Sequence, residues 1–356
     1  MIKLLIVDDS ALMRRQLASL FQAEGGFVIQ QARNGREAIE LNREFQPDAI
    51  TLDINMPDMD GLTALSYIMA ERPVGVVMVS SLTEQGALAT FEALNLGAVD
   101  YVAKPGGTIS LSIDEIKSDL ISKVRAAARA RIKTKGVGIK GLTQRLRDDR
   151  DKAASNKRIM VKASSKDGLV LIGVSTGGPR TLEEILPLLP AEFPWPILVA
   201  QHMPAAFTKS FADRLNHVCP LNVVEVAQPL MVESGTIYIG KGGADMLLTN
   251  RVNKLMVIPK PENKQFLWHP SVELLGRSAL EYLNPEHITG VMLTGMGHDG
   301  ADAFAEIKKM GGRTIAESEE SAVVFGMPAE LIKRNGASVT LTADKVAAQL
   351  NRWAGF

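Results

Sequence analysis

The chain has 356 residues, with 40 Lys and Arg balanced by 40 Asp and Glu, and 46% of its residues are hydrophobic. That length suits about two domains, each able to bury a core, and the cancelled charge gives no global pull toward nucleic acid or a membrane surface. The lone Cys219 excludes an intramolecular disulfide and points to a reducing compartment, and no apolar run reaches the ~18–20 residues of a membrane span.

The first apolar run is short and leads straight into Asp8-Asp9, so it does not read as a signal peptide. Runs at Ile2–Val7, Val28-Ile29, Ala49–Leu52, Val76–Val79 and Ala98–Val102 alternate with stretches long enough for crossover helices. This pattern predicts a five-stranded, doubly wound parallel α/β sheet. Polar residues gather at the strand ends: Asp8 and Asp9 after the first, Asp53 after the third, Ser80 after the fourth and Lys104-Pro105 after the fifth. Three carboxylates in one crevice repel each other unless a hard cation joins them, and Mg²⁺ suits such oxygens. A hydroxyl and an ammonium nearby suit a phosphoryl group carried on one aspartate.

Domain boundaries are expected at 1–125, 126–166 and 167–356. From Arg131 to Lys166 there are twelve basic and three acidic side chains, few large apolar residues, and Gly136, Gly138 and Gly141 to interrupt a helix. This reads as a basic flexible linker. Nucleic-acid binding is the sharper alternative, but no aromatic residue interleaves the charges to stack on bases.

The second half predicts another doubly wound, mainly parallel α/β domain. Its strands include Leu169–Val174, Pro196–Ala200 and Ile288–Leu293. Each ends in a polar group: Ser175 in Gly173-Val174-Ser175-Thr176-Gly177, His202 in Gln201-His202-Met203-Pro204, and Asp299 in Thr294-Gly295-Met296-Gly297-His298-Asp299-Gly300. Parallel sheets collect such strand-end groups in one crevice. There Ser175 attacks, His202 carries its proton and Asp299 holds the imidazole. Each residue has a plainer alternative. Ser175 could cap a helix or contact phosphate, and Asp299 could cap the helix beginning near Ala301. His298, beside Asp299, competes with His202 as the base. Two other functional classes also stay open: a non-catalytic signalling or binding protein whose serine site is inactive, and a nucleotide-binding output domain that uses the glycine turns.

Asp8-Asp9, Asp53 through Gly61, Ser80 and Lys104-Pro105 together resemble the receiver domain of two-component response regulators. The resemblance implies that Asp53 is the phosphoacceptor. Mg²⁺ is then held by Asp9, Asp53 and the Asn55 backbone carbonyl, with Asp8 acting through water. Ser80 and Lys104 contact the phosphoryl group, and Tyr101 is the switch residue. The serine, histidine and aspartate motifs, with His269-Pro270-Ser271-Val272 and Val324-Phe325-Gly326-Met327-Pro328, resemble the chemotaxis protein-glutamate methylesterase family, CheB. That resemblance implies a Ser175–His202–Asp299 triad with Thr176 and Met296 shaping the oxyanion environment. It further implies phosphorylation-activated hydrolysis of glutamate γ-methyl esters on chemoreceptors, with receptor glutamine deamidation in some relatives and no cofactor for the ester chemistry. The implied partners are a chemotaxis histidine kinase as phosphodonor and methylated chemoreceptors as substrate, with no nucleic acid and no membrane insertion. The implied location is the cytoplasm, with recruitment to receptor arrays. Ala205-Ala206 and Gly240-Lys241-Gly242-Gly243 depart from the family's usual residues in loops away from the triad.

Overall fold

The computed structural model describes residues 1–80, 83–104, 109–132, 168–252 and 254–356. They fall into two compact units, one within 1–147 and one within 148–356. Pro105 and residues 133–166 of the expected linker lie outside the described residues.

The N-terminal unit runs β1 (Ile2–Val7), α1 (Ala11–Glu24), β2 (Phe27–Ala32), α2 (Gly35–Glu44), β3 (Ala49–Asp53), α3 (Gly61–Glu71), β4 (Gly75–Ser80), α4 (Glu84–Leu96), β5 (Asp100–Ala103) and α5 (Ile109–Ala127). The five strands are parallel in the order β2-β1-β3-β4-β5. β3 and β4 are buried along their whole length, as central strands covered on both faces must be. β2 is an edge strand with exposed Val28, Gln30 and Gln31, so its apolar signal shrinks to two residues although six pair. α5 ends at Ala127, just past the expected domain boundary. Helix starts are set by side-chain caps: Ser10 accepts from Met13 N, Asn34 from Glu37 N and Asp60 from Thr63 N. Because β1 leads outward to β2 and then back across to β3, the sheet reverses direction between β1 and β3. Asp8, Asp9 and Asp53 stand at that switch point.

The C-terminal unit begins with β6 (Leu169–Val174), α6 (Gly178–Ile185), β7 (Ile197–Gln201), α7 (Ala205–Val218), β8 (Asn222–Val226), β9 (Leu230–Met231), β10 (Thr236–Gly240), β11 (Ala244–Arg251) and β12 (Lys254–Pro261). It continues through α8 (Val272–Tyr282), β13 (Ile288–Met292), α9 (Ala301–Lys309), β14 (Arg313–Glu317), α10 (Met327–Lys333), β15 (Val339–Leu341) and α11 (Ala343–Ala354). Seven strands make one parallel sheet, β15-β14-β13-β6-β7-β10-β8, and β11-β12-β9 make a small antiparallel one. β6 is central, with β7 on one side and β13 on the other, so its carboxyl end opens a crevice. Phe304 of α9 is fully buried among Leu171, Leu275, Met292 and Met327, a burial that stabilises the fold by about 1.5–3 kcal/mol. It lies so close to β13 that a Cβ on Gly290 would come within 2.9 Å of its ring. The sheet ends that carry the crevice therefore rest on a tightly packed layer.

Candidate active site

Strand pairing alone brings serine and histidine together. β6 and β7 pair in register through Val174 and Gln201, so Ser175 and His202 leave adjacent strand ends at the same level. The link continues past the strands, where His202 N donates to Val174 O at 3.1 Å. On the other side, Leu293 N donates to Gly173 O and Ser175 N to Thr294 O, both at 2.9 Å, which fixes the β13 loop beside the serine. Gly177 turns the chain into α6 at φ +78°, a left-handed conformation suited to glycine, and Gly178 N closes the turn on Ser175 O at 2.8 Å.

Gln201 braces this junction from β7, its amide donating to both Ser175 O and His202 O at 3.0 Å. Thr294 braces it from β13: its hydroxyl donates to Thr176 O at 2.8 Å and accepts from Val324 N at 3.0 Å. Beneath it the fully buried Glu317 accepts from Thr294 N at 2.8 Å and from the Ser321 hydroxyl at 2.7 Å. None of these three was singled out by motif, because glutamine, threonine and glutamate at strand ends carry no spacing signature. Among the described residues, the backbone N–H groups of Thr176 and Met296 have no protein acceptor, and neither does the Ser175 hydroxyl.

Gly295 is where the loops approach most closely. A Cβ there would sit 2.7 Å from Ser175 Cβ, against atoms that cannot yield without moving the serine. Gly295→Ala is therefore expected to lower turnover by about 10–100-fold in protein that still folds. Steady-state rates beside circular dichroism check this, and a wild-type rate would show that the serine tolerates displacement.

His202 Nε2 lies 2.9 Å from Asp299 Oδ2. Asp299 is 5% exposed, and its carboxylate also accepts from Val272 N at 2.7 Å, Glu273 N at 3.0 Å and the Ser271 hydroxyl at 3.0 Å. Burial pushes its pKa up, but the His202 contact and the two α8 backbone N–H groups outweigh that and hold it below the usual 3.8. An ionised carboxylate only accepts, so His202 Nε2 carries the proton. His202 Nδ1 is buried and without a partner. Asp299 does not cap the helix that follows it: α9 begins from Gly300 with no side-chain cap, and the carboxylate instead sits on the first turn of α8. His298 does not reach Asp299 by any hydrogen bond. It is exposed and lies edge-on to Trp268, with ring centroids 5.3 Å apart.

The lowered Asp299 pKa has a consequence for acid stability. A carboxyl depressed by folding stabilises the fold above its unfolded pKa, and the contribution fades as pH falls through the folded value. The loss should therefore set in below about pH 3.8. Chemical denaturation from pH 6 to 2 should show a shallower acid decline in Asp299→Asn than in wild type. Parallel declines would mean that other groups carry the acid transition.

Cys219 is buried, and burial together with the Glu183 charge pushes its thiol up to about 12. It is no thiolate at neutral pH.

In the N-terminal unit, Asp8, Asp9 and Asp53 present oxygens within 4.8 Å of one another. Three hard oxygen donors at that spacing fit a magnesium ion that keeps several of its waters. Lys104 Nζ bridges Asp53 at 2.8 Å and Asp8 at 3.0 Å. Burial and the neighbouring Asp8 charge raise the Asp53 pKa despite Lys104. Lys104 is itself pushed down by burial, but its two carboxylates hold it above its usual value. A Cβ on Gly61 would fall 2.0 Å from Asp53 O, so only glycine lets α3 start against the end of β3. Asn55 N donates to Asp53 Oδ1 at 3.4 Å. Ser80 is buried at the end of β4, with its hydroxyl donating to Gly86 O at 3.2 Å in α4. Tyr101 is packed inside β5, its phenol pKa raised well above 10.0 by burial, and Lys123 of α5 donates to its carbonyl at 2.8 Å.

An acidic receiver pocket and a doubly wound hydrolase crevice on one polypeptide define a response-regulator enzyme. Comparison with known proteins gives the same result. The family model for the response regulator receiver domain matches residues 4–113, and that for CheB methylesterase matches residues 170–350. The chain belongs to the CheB methylesterase family. It is 55% identical to protein-glutamate methylesterase/protein-glutamine glutaminase 3 of Rhodospirillum rubrum, over 99% of this chain and 96% of that one. It is 48% identical to the protein-glutamate methylesterase/protein-glutamine glutaminase of Caldanaerobacter subterraneus subsp. tengcongensis, over 97% and 95%. The crystal structure of the Thermotoga maritima CheB methylesterase catalytic domain is 38% identical with a TM-score of 0.51, covering 53% of this chain and all of that one. No helix among the described residues is long and apolar enough to cross a membrane.

Proposed function

We propose that the chain hydrolyses glutamate γ-methyl esters on chemoreceptors, releasing methanol, and deamidates receptor glutamines by the same acyl transfer, under control of phosphorylation at Asp53. The observation that carries the chemistry is the contact of His202 Nε2 with Asp299 Oδ2 at 2.9 Å, beside an Nδ1 that is buried and unpartnered. Ser175 Oγ attacks the ester carbonyl while His202 Nδ1 takes its proton. The oxyanion that forms is met by the open N–H groups of Thr176 and Met296. Collapse breaks the bond to methoxide, which leaves as methanol with the proton from His202. Water, deprotonated by the same nitrogen, then attacks the acyl-enzyme and restores Ser175 with release of glutamate. With a glutamine substrate the leaving group is ammonia and the remaining steps are unchanged.

In the receiver, phosphorylation depends on Mg²⁺, which neutralises the transferring phosphoryl oxygens when bound. Asp9, Asp53 and the Asn55 carbonyl would hold the ion, with Asp8 beside them. Lys104 and Ser80 contact the phosphoryl group, and Tyr101 transmits the change. The phosphodonor is a chemotaxis histidine kinase. Domains at 1–125 and 167–356 are joined by the basic segment 126–166, and the protein acts at receptor arrays from the cytoplasm. Methanol release from methyl-labelled receptor membranes tests the proposal, and its absence with folded, phosphorylated protein would overturn it.

A further inference from the structure

The segment between β12 and α8 sets an indole against the catalytic histidine. Trp268 is half-buried, and its ring lies parallel to the His202 imidazole, with centroids 6.0 Å apart and planes 8° apart. Its own position is fixed from several sides. A Cβ on Gly297, which has φ +90°, would come within 2.8 Å of the indole, so the β13 loop passes directly beneath it. The next residue, His269, pairs through Nδ1 with buried Asp245 at 2.8 Å. Asp245 also accepts from Asn263 N at 2.8 Å and Ser271 N at 2.9 Å, which ties both ends of the segment to one carboxylate.

His202 is thus restrained twice, at its edge by Asp299 and on its face by Trp268. One restraint is a hydrogen bond at the ring edge and the other a stacked ring, so together they limit how the imidazole turns and hence where Nδ1 points. The face contact also responds to charge. The proposed reaction turns imidazole into imidazolium, and an indole face attracts a cation more strongly than a neutral ring. An interaction that strengthens as charge develops lowers the barrier rather than merely binding substrate. We infer that Trp268 is a positioning residue for His202, which it orients and whose imidazolium form it stabilises during acyl transfer. This rests on the Ser175–His202 chemistry proposed above.

The test uses the full-length chain treated with a small phosphodonor and Mg²⁺. It is assayed on p-nitrophenyl acetate, which needs no receptor docking, and on methylated receptor membranes. Trp268→Ala is expected to lower kcat about tenfold on both substrates with KM changed by less than about twofold. Trp268→Phe, which keeps an aromatic face, should recover to within about threefold of wild type, whereas Trp268→Leu, which fills space without one, should stay near the alanine value. A higher KM on receptor membranes with unchanged p-nitrophenyl acetate turnover would make Trp268 a receptor contact and overturn the inference. Leucine working as well as phenylalanine, or alanine as well as tryptophan, would overturn it too. Should Trp268→Ala fail to fold, the phenylalanine–leucine comparison decides alone. Ser175→Ala run in parallel separates the two levels: activity retained there would overturn the underlying chemistry whatever Trp268 does.

Discussion

Ser175→Ala is expected to cut methanol release by about 10⁴-fold or more, leaving only the small residual rate supplied by the oxyanion donors and substrate binding. The hydroxyl stands at the end of β6 beside His202, whose Nδ1 has no partner and is open to its proton. His202→Ala should be comparably poor, because the serine then has no acceptor for its proton. Adding the second substitution to the first should cost little more, since residues that act as a unit do not add. Folding is not expected to suffer: Ser175 is bound into the structure through its backbone N–H and carbonyl, which alanine keeps. Rates on labelled receptor membranes, with thermal melts of each variant, check these outcomes. Near-wild-type turnover in folded Ser175→Ala would exclude the serine mechanism, and loss of activity in His298→Ala but not His202→Ala would move the base.

Asp53→Asn is expected to abolish labelling by a phosphodonor in Mg²⁺ and to remove the phosphodonor-dependent rise in esterase rate, while basal hydrolysis stays intact. The same substitution should raise stability at neutral pH. The folded state raises the Asp53 pKa, so it holds that proton more firmly than the unfolded chain does. The stability this gives is full below the ordinary value of 3.8 and is lost as pH rises through the raised one. At neutral pH the buried charge is a cost that asparagine relieves, while Asp8 still pairs with Lys104. A more stable protein that can no longer be labelled would separate the functional role of the carboxylate from a structural one. Labelling that persisted in Asp53→Asn would place the phosphoacceptor elsewhere.

Much of this architecture was legible because buried parallel strands are uniformly apolar and end abruptly in polar groups. β3 and β4 of the N-terminal sheet and the strands leading to Ser175, His202 and Asp299 all have that form. Strands that lack it were harder to read. β8 is only partly buried, with Asn222 exposed and Val224 and Glu225 half-buried, and β15 is three residues long with no fully buried position. The β11–β12 pair buries residues on both faces, Val257 beside Ile258, and nothing in its composition marks it as outside the main sheet. At the site, residue types that carry chemistry announced themselves, but those that hold them did not. The sequence offers Asp299 as the partner of His202, but its further hold on Val272 N and Glu273 N at the start of α8 is a contact that only the fold creates. Trp268 lies in a loop with no periodicity, so its stacking on a residue 66 positions earlier left no trace in the sequence. Glu317 was hidden for the same reason, as a charged residue at the end of a strand that reads as surface until burial is known.

The central claim is that one chain couples Asp53 phosphorylation to ester hydrolysis at Ser175. Methanol release from methyl-labelled receptor membranes, measured with and without a phosphodonor in Mg²⁺, tests it most directly when wild type, Asp53→Asn and Ser175→Ala are compared at equal folded concentration. The expected result is a rate that rises with phosphodonor in wild type, stays at its basal level in Asp53→Asn and is nearly absent in Ser175→Ala under both conditions. A phosphodonor response that survives in Asp53→Asn, or methanol release that survives in Ser175→Ala, would contradict it.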